Sequence, residues 1–214
     1  LGLKDLMTLS NGFVIKRSNY LRESQFKIKK AQQHLSRKSK GSSRYEKQRI
    51  KLAKLQEKVA NKREWFTHNI TKAIIKNYDV ICVETLSSKD MQSFSSINKV
   101  LSEVSLYKIV RQLEYKADWY GKTFTKVDKW FPSSQLCSVC GHKNIETKDL
   151  SLREWKCPVC GTQHHRDHNA AINILKQGFK DISGELLDYE RGDFVNEFNF
   201  VEGMNDFIET LTFL

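Results

Sequence analysis

Two Cys-x-x-Cys pairs, separated by sixteen residues, constrain the fold of this chain more than any other feature. A Cys-x-x-Cys turn directs two thiolates toward one point, and two such turns complete a tetrahedral zinc shell with Zn–S bonds of roughly 2.3 Å. Because four cysteines leave no open coordination position, the pattern predicts a structural zinc site rather than a catalytic one. The expected ligands are Cys137, Cys140, Cys157 and Cys160.

Two disulfides are the alternative explanation for these four cysteines, but nothing else in the chain suggests secretion. No apolar run is long enough to span a bilayer, and no charged-then-apolar leader opens the chain. The fifth cysteine, Cys82, lies in an apolar run and is expected to be a reduced, buried strand residue. A reducing, cytoplasmic setting therefore fits. His142, His164 and His165 lie near the cysteines, but the shell is already complete, so we expect them on the surface or facing nucleic acid.

The net charge of +11 conceals a strong asymmetry along the chain. Residues 1–180 carry a net charge of +19, whereas residues 181–214 carry −8. A body this basic predicts a polyanionic partner, foremost nucleic acid, because release of counterions drives such binding. A solubilising surface is the alternative, although the basic residues cluster rather than scatter. The acidic tail is expected to be disordered, with docking of its phenylalanines on the basic body as the alternative.

The first third of the chain predicts a β-hairpin followed by two helices. Asn11-Gly12 between two apolar runs supplies the two positive-φ residues of a tight primed turn. Apolar spacing predicts one helix over residues 20–37 and another over residues 43–77, the second opened by a capping box of Ser43 and Glu46. These helices are expected to form a helical hairpin. Its 17 Lys and Arg against four Glu favour contact with phosphates, although solvated helix faces are also commonly charged.

The middle of the chain predicts a strand–helix–strand unit. Residues 79–84 are typical of a strand buried on both faces, residues 101–119 of a helix, and residues 123–127 of a second strand. A helix between two strands indicates a right-handed crossover and parallel pairing. The serine-rich residues 87–98 are expected to form a mobile loop. After the cysteines, a final helix is expected from Asp167 to Gln177, ended by Gly178.

Two acidic residues stand where chemistry would be expected. Glu84 ends its strand at the carboxyl edge, where open α/β sheets bind ligands. Asp167 opens the final helix, whose Ala170 and Ala171 would allow close packing on the sheet. If the two carboxylates converge, they can hold Mg²⁺ for phosphodiester hydrolysis. Each also has an ordinary explanation, since a strand-end Glu is usually solvated and an Asp before a helix is usually an N-cap.

Three segments resemble motifs of the TnpB/OrfB family: Tyr115 to Gly121, Pro132 to Gly141, and Arg166 to Ile174. The resemblance runs from Leu1 to about Phe179. It implies an α/β fold with a RuvC-like, RNase H-type core at residues 1–130, interrupted by the basic helical hairpin at residues 21–77. A zinc ribbon at residues 131–165, a final core helix at residues 166–180 and an acidic tail at residues 181–214 would follow.

The resemblance also implies a function, that of a transposon-encoded, RNA-guided DNA endonuclease, long called a transposase. Its partners would be DNA and a guide RNA, with no membrane, in the nucleoid-associated cytoplasm. Mg²⁺ would be the catalytic cofactor and zinc the structural one. Glu84 matches the second catalytic acid and Asp167 the third, so both would be Mg²⁺ ligands, and the four cysteines match the ribbon ligands.

One departure from the family concerns the first catalytic acid. In the family that Asp ends the first core strand in a Gly-Ile-Asp-x-Gly pattern, and Leu1-Gly2 matches the x-Gly. The Asp would then be the residue immediately before Leu1, and Asp5 matches a different position. The chain is therefore expected to be an N-terminally truncated portion that cuts DNA poorly as given. The alternatives are a catalytically incomplete nucleic-acid-binding module and a zinc-ribbon transcription-type factor, which leaves the Glu84 strand and the Asp167 helix unexplained.

Overall fold

The computed structural model describes residues 1–2, 5–85, 106–149 and 151–184, and shows a mixed α/β fold. The loop predicted at residues 87–98 and the tail from residue 185 onward lie outside these ranges. No helix within the described ranges has the length and apolar character needed to cross a membrane. In chain order the elements are β1 (Asp5–Thr8), β2 (Val14–Lys16), α1 (Tyr20–Ser36), α2 (Ser43–Asn77), β3 (Val80–Glu84), α3 (Leu106–Trp119), β4 (Thr123–Val127), a 3₁₀ helix (Ile145–Lys148), β5 (Glu154–Lys156), β6 (Gln163–His165) and α4 (Arg166–Ser183).

The predicted β-hairpin is confirmed, but its turn is not the two-residue turn expected from Asn11-Gly12. β1 and β2 pair antiparallel, with Thr8 opposite Val14, so five residues connect them. The Gly12 N–H donates to the carbonyl of Leu9 at 3.0 Å, and Gly12 has φ of +88°. Glycine is thus required at the fourth position of the turn, where a left-handed conformation reverses the chain.

The helical hairpin of α1 and α2 is confirmed, with a different cap on α2. Ser42 has an extended backbone, and its hydroxyl accepts a hydrogen bond from the Tyr45 N–H at 3.1 Å. Ser43 is already helical, so the cap lies one residue earlier than predicted. Glu46 instead pairs with Arg49 at 2.7 Å, one turn further along the helix.

The core is built around β3 and β4, which pair in parallel as predicted. Ile81 and Val83 point from β3 into an apolar cluster formed with α2, α3 and the first hairpin. Cys82 points to the opposite face, where α4 covers it, and it is half-buried rather than buried. The main members of the apolar cluster are Leu6, Ile15, Phe66, Ile70, Ile74, Ile75, Ile81, Val83, Ile109, Leu113 and Ala117.

Gly178 does not end the final helix, so that prediction is wrong. α4 continues to Ser183, and Gly184, with φ of +75°, ends it by donating to the carbonyl of Lys180 at 2.9 Å. Gly178 is buried inside the helix. A β-carbon there would lie 2.5 Å from the Cys82 sulfur, so the glycine permits close approach of α4 to the sheet.

Candidate metal centre and carboxylate site

The four ribbon cysteines converge on one point, as the sequence predicted. Their sulfur atoms all lie within 4.8 Å of one another, and none is in a disulfide. Cys137 and Cys160 are 3.6 Å apart, as are Cys140 and Cys157. Sulfurs in a tetrahedral shell with 2.3 Å bonds would be roughly 3.8 Å apart. The donor set and its spacing therefore fit a metal such as zinc.

Each cysteine pair folds into the same knuckle. The Gly141 N–H donates to the carbonyl of Cys137, and the Gly161 N–H donates to the carbonyl of Cys157, both at 2.9 Å. Both glycines have left-handed backbones, with φ of +75° and +73°. Glycine after the second cysteine of each pair is therefore required by the turn that directs both thiols inward.

His164 supports the metal centre, although we predicted it on the surface or facing nucleic acid. It is buried in β6, opposite Trp155, and its ring centroid lies 4.8 Å from that of Trp155. Its Nε2 is 3.0 Å from the Cys137 sulfur. Burial lowers the pKa of His164, which favours a neutral imidazole that can donate to a thiolate. The sequence signal for a buried His164 was the alternation of side chains along a strand, because in β6 His165 is exposed while His164 faces inward.

Two buried asparagines, which sequence reasoning did not single out, fasten the ribbon to α4. Asn169 donates to the carbonyl of Leu136 at 2.7 Å and accepts from the N–H of Ser138 at 2.9 Å. Asn173 donates to the carbonyls of Ser133 and Leu136, at 2.8 and 2.7 Å. Their spacing of four residues on one helix face was the available signal. These bonds position the first knuckle against the helix that carries Asp167.

Glu84 lies at the carboxyl edge of β3, beside a cleft that α4 also lines. Its register partner is Val127, the last residue of β4, and its side chain is 30% exposed. Its Oε1 is 3.0 Å from the backbone nitrogen of Leu1. The cleft, of about 110 Å³, is lined among others by Glu84 and by Ala171 and Ile174 of α4. The structure thus brings the end of β3, residue 1 and α4 to one place.

Asp167 is the second residue of α4 and is not its N-cap, a position that His165 occupies. Its carboxylate pairs with Arg153, whose Nη1 lies 3.1 and 3.3 Å from the two oxygens. Asp167 precedes Ala171 by four residues, so the two share a helix face. Asp167 is therefore placed one turn from the cleft that Glu84 lines. Direct convergence of the two carboxylates stays a prediction.

The basic surface of α2 forms a stripe of lysines, spaced three or four residues apart and extending roughly 22 Å along the helix. A groove of about 450 Å³ at its end is lined among others by Lys58, Lys62, Tyr20 and Trp65. The Lys62 ammonium lies 5.5 Å from the Tyr20 ring centroid. The stripe has the charge and shape to follow a phosphate backbone, and contact with phosphates stays a prediction. Its members are Lys47, Lys51, Lys54, Lys58 and Lys62.

The parallel strand–helix–strand core, the acid at its carboxyl edge and the four-cysteine ribbon ahead of α4 define a RuvC-like fold with a zinc-ribbon-type insertion. A chain in the cryo-EM structure of a Cas12f1–sgRNA–target DNA complex has the same fold, with a TM-score of 0.52 and 24% sequence identity. The similarity covers 76% of this chain and 43% of that one.

Sequence comparisons agree with the fold. Residues 1–94 match a family described as "Probable transposase", and residues 107–174 match the "Cas12f1-like, TNB domain". A Streptomyces pristinaespiralis protein named "Putative RNA-guided DNA endonuclease" is 35% identical over 178 residues, which are 83% of this chain and 44% of that protein. The Escherichia coli K12 protein named "Putative RNA-guided DNA endonuclease InsQ" is 32% identical over 206 residues, a match that covers 89% of this chain and 51% of the InsQ protein.

This chain belongs to the TnpB/OrfB family. It spans about half the length of the curated relatives that it matches.

Proposed function

We propose that this chain is the C-terminal nuclease portion of a transposon-encoded, RNA-guided DNA endonuclease that hydrolyses phosphodiester bonds with Mg²⁺. The names of its relatives and the RuvC-like fold support this assignment. In this proposal residues 1–130 form the nuclease core, with the hairpin at residues 21–77 inserted. Residues 131–165 form the zinc ribbon, and the last core helix is α4, which extends past residue 180 to Ser183.

The observation that carries the proposal is the meeting of Glu84, residue 1 and α4 at one cleft. The family resemblance puts the first catalytic Asp immediately before Leu1. The Leu1 backbone nitrogen lies 3.0 Å from Oε1 of Glu84, so an Asp there would have its α-carbon within roughly 6 Å of that oxygen. Asp167, one helical turn from the cleft, would supply the third carboxylate.

Glu84 and Asp167 would act as ligands through their carboxylate oxygens, which are the donors that Mg²⁺ prefers. When bound there, Mg²⁺ would polarise the phosphodiester and neutralise the charge that develops on its oxygens. Arg153 would have to release Asp167 before that carboxylate could serve as a ligand. In the ribbon, Cys137, Cys140, Cys157 and Cys160 would hold Zn²⁺ in a purely structural role, because four thiolates fill its shell.

The partners in this proposal are DNA and a guide RNA. The lysine stripe of α2 would contact the backbone of the nucleic acid, while pairing between guide and target would supply sequence specificity. Affinity for nucleic acid should therefore depend strongly on salt and little on sequence.

The test is cleavage of a labelled single-stranded DNA by residues 1–214 preceded by Gly-Ile-Asp, with Gly-Ile-Asn as the matched form. We expect Mg²⁺-dependent cleavage from the Asp form and its loss in the Asn form, in Glu84→Gln and in Asp167→Asn. Glu114→Gln, which alters a carboxylate paired with Lys126 on the outer face of α3, is the control and should cleave normally. Full cleavage by Asp167→Asn would show that the third acid is misassigned.

A catalytically incomplete nucleic-acid-binding module is the second candidate. It is favoured by the ion pair between Asp167 and Arg153, which engages one of the two carboxylates. The 214 residues without added sequence should cut little, because two carboxylates would do the work of three. Absence of cleavage from the Gly-Ile-Asp form, together with salt-dependent binding, would favour this candidate.

A further inference from the structure

The loop that leaves β4 presents an exposed indole near the candidate carboxylate site. β4 ends at Val127, opposite Glu84, and the Thr85 N–H donates to the Val127 carbonyl at 3.0 Å. Trp130 follows three residues later, so its α-carbon lies within roughly 16 Å of that of Glu84. The indole is 79% exposed, more than any other large apolar side chain in the described ranges.

The backbone around Trp130 is held at both ends. The Asp128 carboxylate accepts from the Trp130 N–H at 2.7 Å, and the Asp128 carbonyl accepts from the Phe131 N–H at 3.1 Å. Further along, the Ser133 carbonyl accepts from the Asn173 side chain at 2.8 Å, which ties the loop to α4. The loop that follows β4 is therefore held against α4, and it keeps the indole exposed although burial of an aromatic ring is ordinarily favourable.

The chemistry of this exposed group matches a nucleotide. The Lys129 ammonium lies over one face of the Trp130 ring, 4.5 Å from its centroid, so a base would stack on the opposite face with a cation close by. Stacking of a base on an aromatic side chain contributes about 1–3 kcal/mol, and the neighbouring ammonium can pair with the phosphate. Bases inside a duplex are stacked on both faces, so only an unpaired nucleotide offers a free face.

We propose that Trp130 and Lys129 form a subsite for one unpaired nucleotide of a strand that passes the Glu84 edge. The inference rests on the proposed function, because a cleft that cuts one strand needs that strand separated and held nearby. Stacking at Trp130 requires no metal and is tolerant of sequence, since every base has a π-face. Trp130 is thus a positioning residue for substrate and not a metal ligand.

The test measures binding of a labelled oligothymidylate of about twelve nucleotides, within the usual site size for such surfaces, to the whole chain without Mg²⁺. Trp130→Leu should weaken binding about 5- to 150-fold, and Trp130→Phe should retain most of the affinity. Trp119→Leu is the matched control, because Trp119 is 73% exposed but precedes the other end of β4. The affinity of Trp119→Leu for the oligothymidylate should equal that of the unaltered chain.

A blunt-ended duplex of two complementary strands, which has no unpaired nucleotide, provides the second arm, and its affinity should be the same for all these variants. The subsite is overturned if Trp130→Leu binds the single strand normally, or if it weakens duplex binding equally. Mn²⁺ affinity, measured in parallel, should not change in Trp130→Leu. If Glu84→Gln and Asp167→Asn leave cleavage by the Gly-Ile-Asp form intact while Trp130→Leu loses affinity for the single strand, the proposed function fails and the subsite stands.

Discussion

Cys82 and Gly178 meet where α4 crosses the sheet, and that contact determines how closely the helix approaches β3. Any side chain at position 178 would collide with the Cys82 sulfur, and its β-carbon would also lie 3.0 Å from a methyl group of Thr125. Burial raises the pKa of the Cys82 thiol to about 11, so it is a neutral packing group at physiological pH. Because α4 carries Asp167, this packing also positions the candidate site.

Gly178→Ala should destabilise the protein although alanine favours helices. The gain of roughly 1 kcal/mol in helix propensity is outweighed by overpacking, which typically costs about 1–3 kcal/mol. Urea unfolding should therefore show a lower midpoint than for Lys180→Ala, a control on an exposed residue of the same helix. An unchanged or higher midpoint for Gly178→Ala would mean that α4 does not pack as described.

His164 contacts the Cys137 sulfur, and we expect this contact to strengthen zinc binding although sequence analysis placed His164 outside the metal site. His164→Phe should preserve stacking on Trp155 but remove the contact with the Cys137 sulfur. We expect zinc affinity to fall about 10- to 100-fold, as is usual when a partner of a metal ligand is lost. Competition with a chromophoric chelator would measure it. His165→Phe, at the exposed neighbour, should behave like the unaltered chain, and equal losses in both variants would contradict this role.

The helical hairpin carries a large excess of lysine and arginine over glutamate, and we expect it to bind phosphates without preference for sequence. Lys54 and Lys58 lie on the same face of α2 and line the groove beside Tyr20 and Trp65. Lys122 and Lys180 also carry charge, but they lie at the opposite end of the core from Glu84, near the start of β4 and the end of α4.

Lys54→Gln with Lys58→Gln should lower affinity for duplex DNA and reduce the slope of log K against log salt by about 1.8, since each lost phosphate contact contributes about 0.9. Lys122→Gln with Lys180→Gln removes the same charge and should leave the slope nearly unchanged. Equal slopes for both double variants would indicate a general effect of net charge instead of a binding surface.

Local patterns predicted most helices and strands of the molecule, whereas tertiary contacts determined the features that the sequence did not show. Residues 123–127 form the predicted strand because a run of threonine, phenylalanine and valine favours a strand locally, and the cysteine spacing predicts the candidate metal centre in the same way. Gly178 resembled a helix stop because its contact with Cys82 is formed only in the folded core. The spacing of Asn169 and Asn173 places them on one helix face, but their hydrogen-bond partners lie in a loop more than 30 residues away and are not revealed by that spacing.

In the proposed function, Glu84 and Asp167 serve one metal site. Mn²⁺ affinity should be measured by isothermal titration for the Gly-Ile-Asp form, for Glu84→Gln, for Asp167→Asn and for the double variant. We predict that either single change removes most of the affinity and that the second adds little, because ligands of one ion are strongly coupled. Independent, additive losses would place the two carboxylates in separate sites and contradict the assignment.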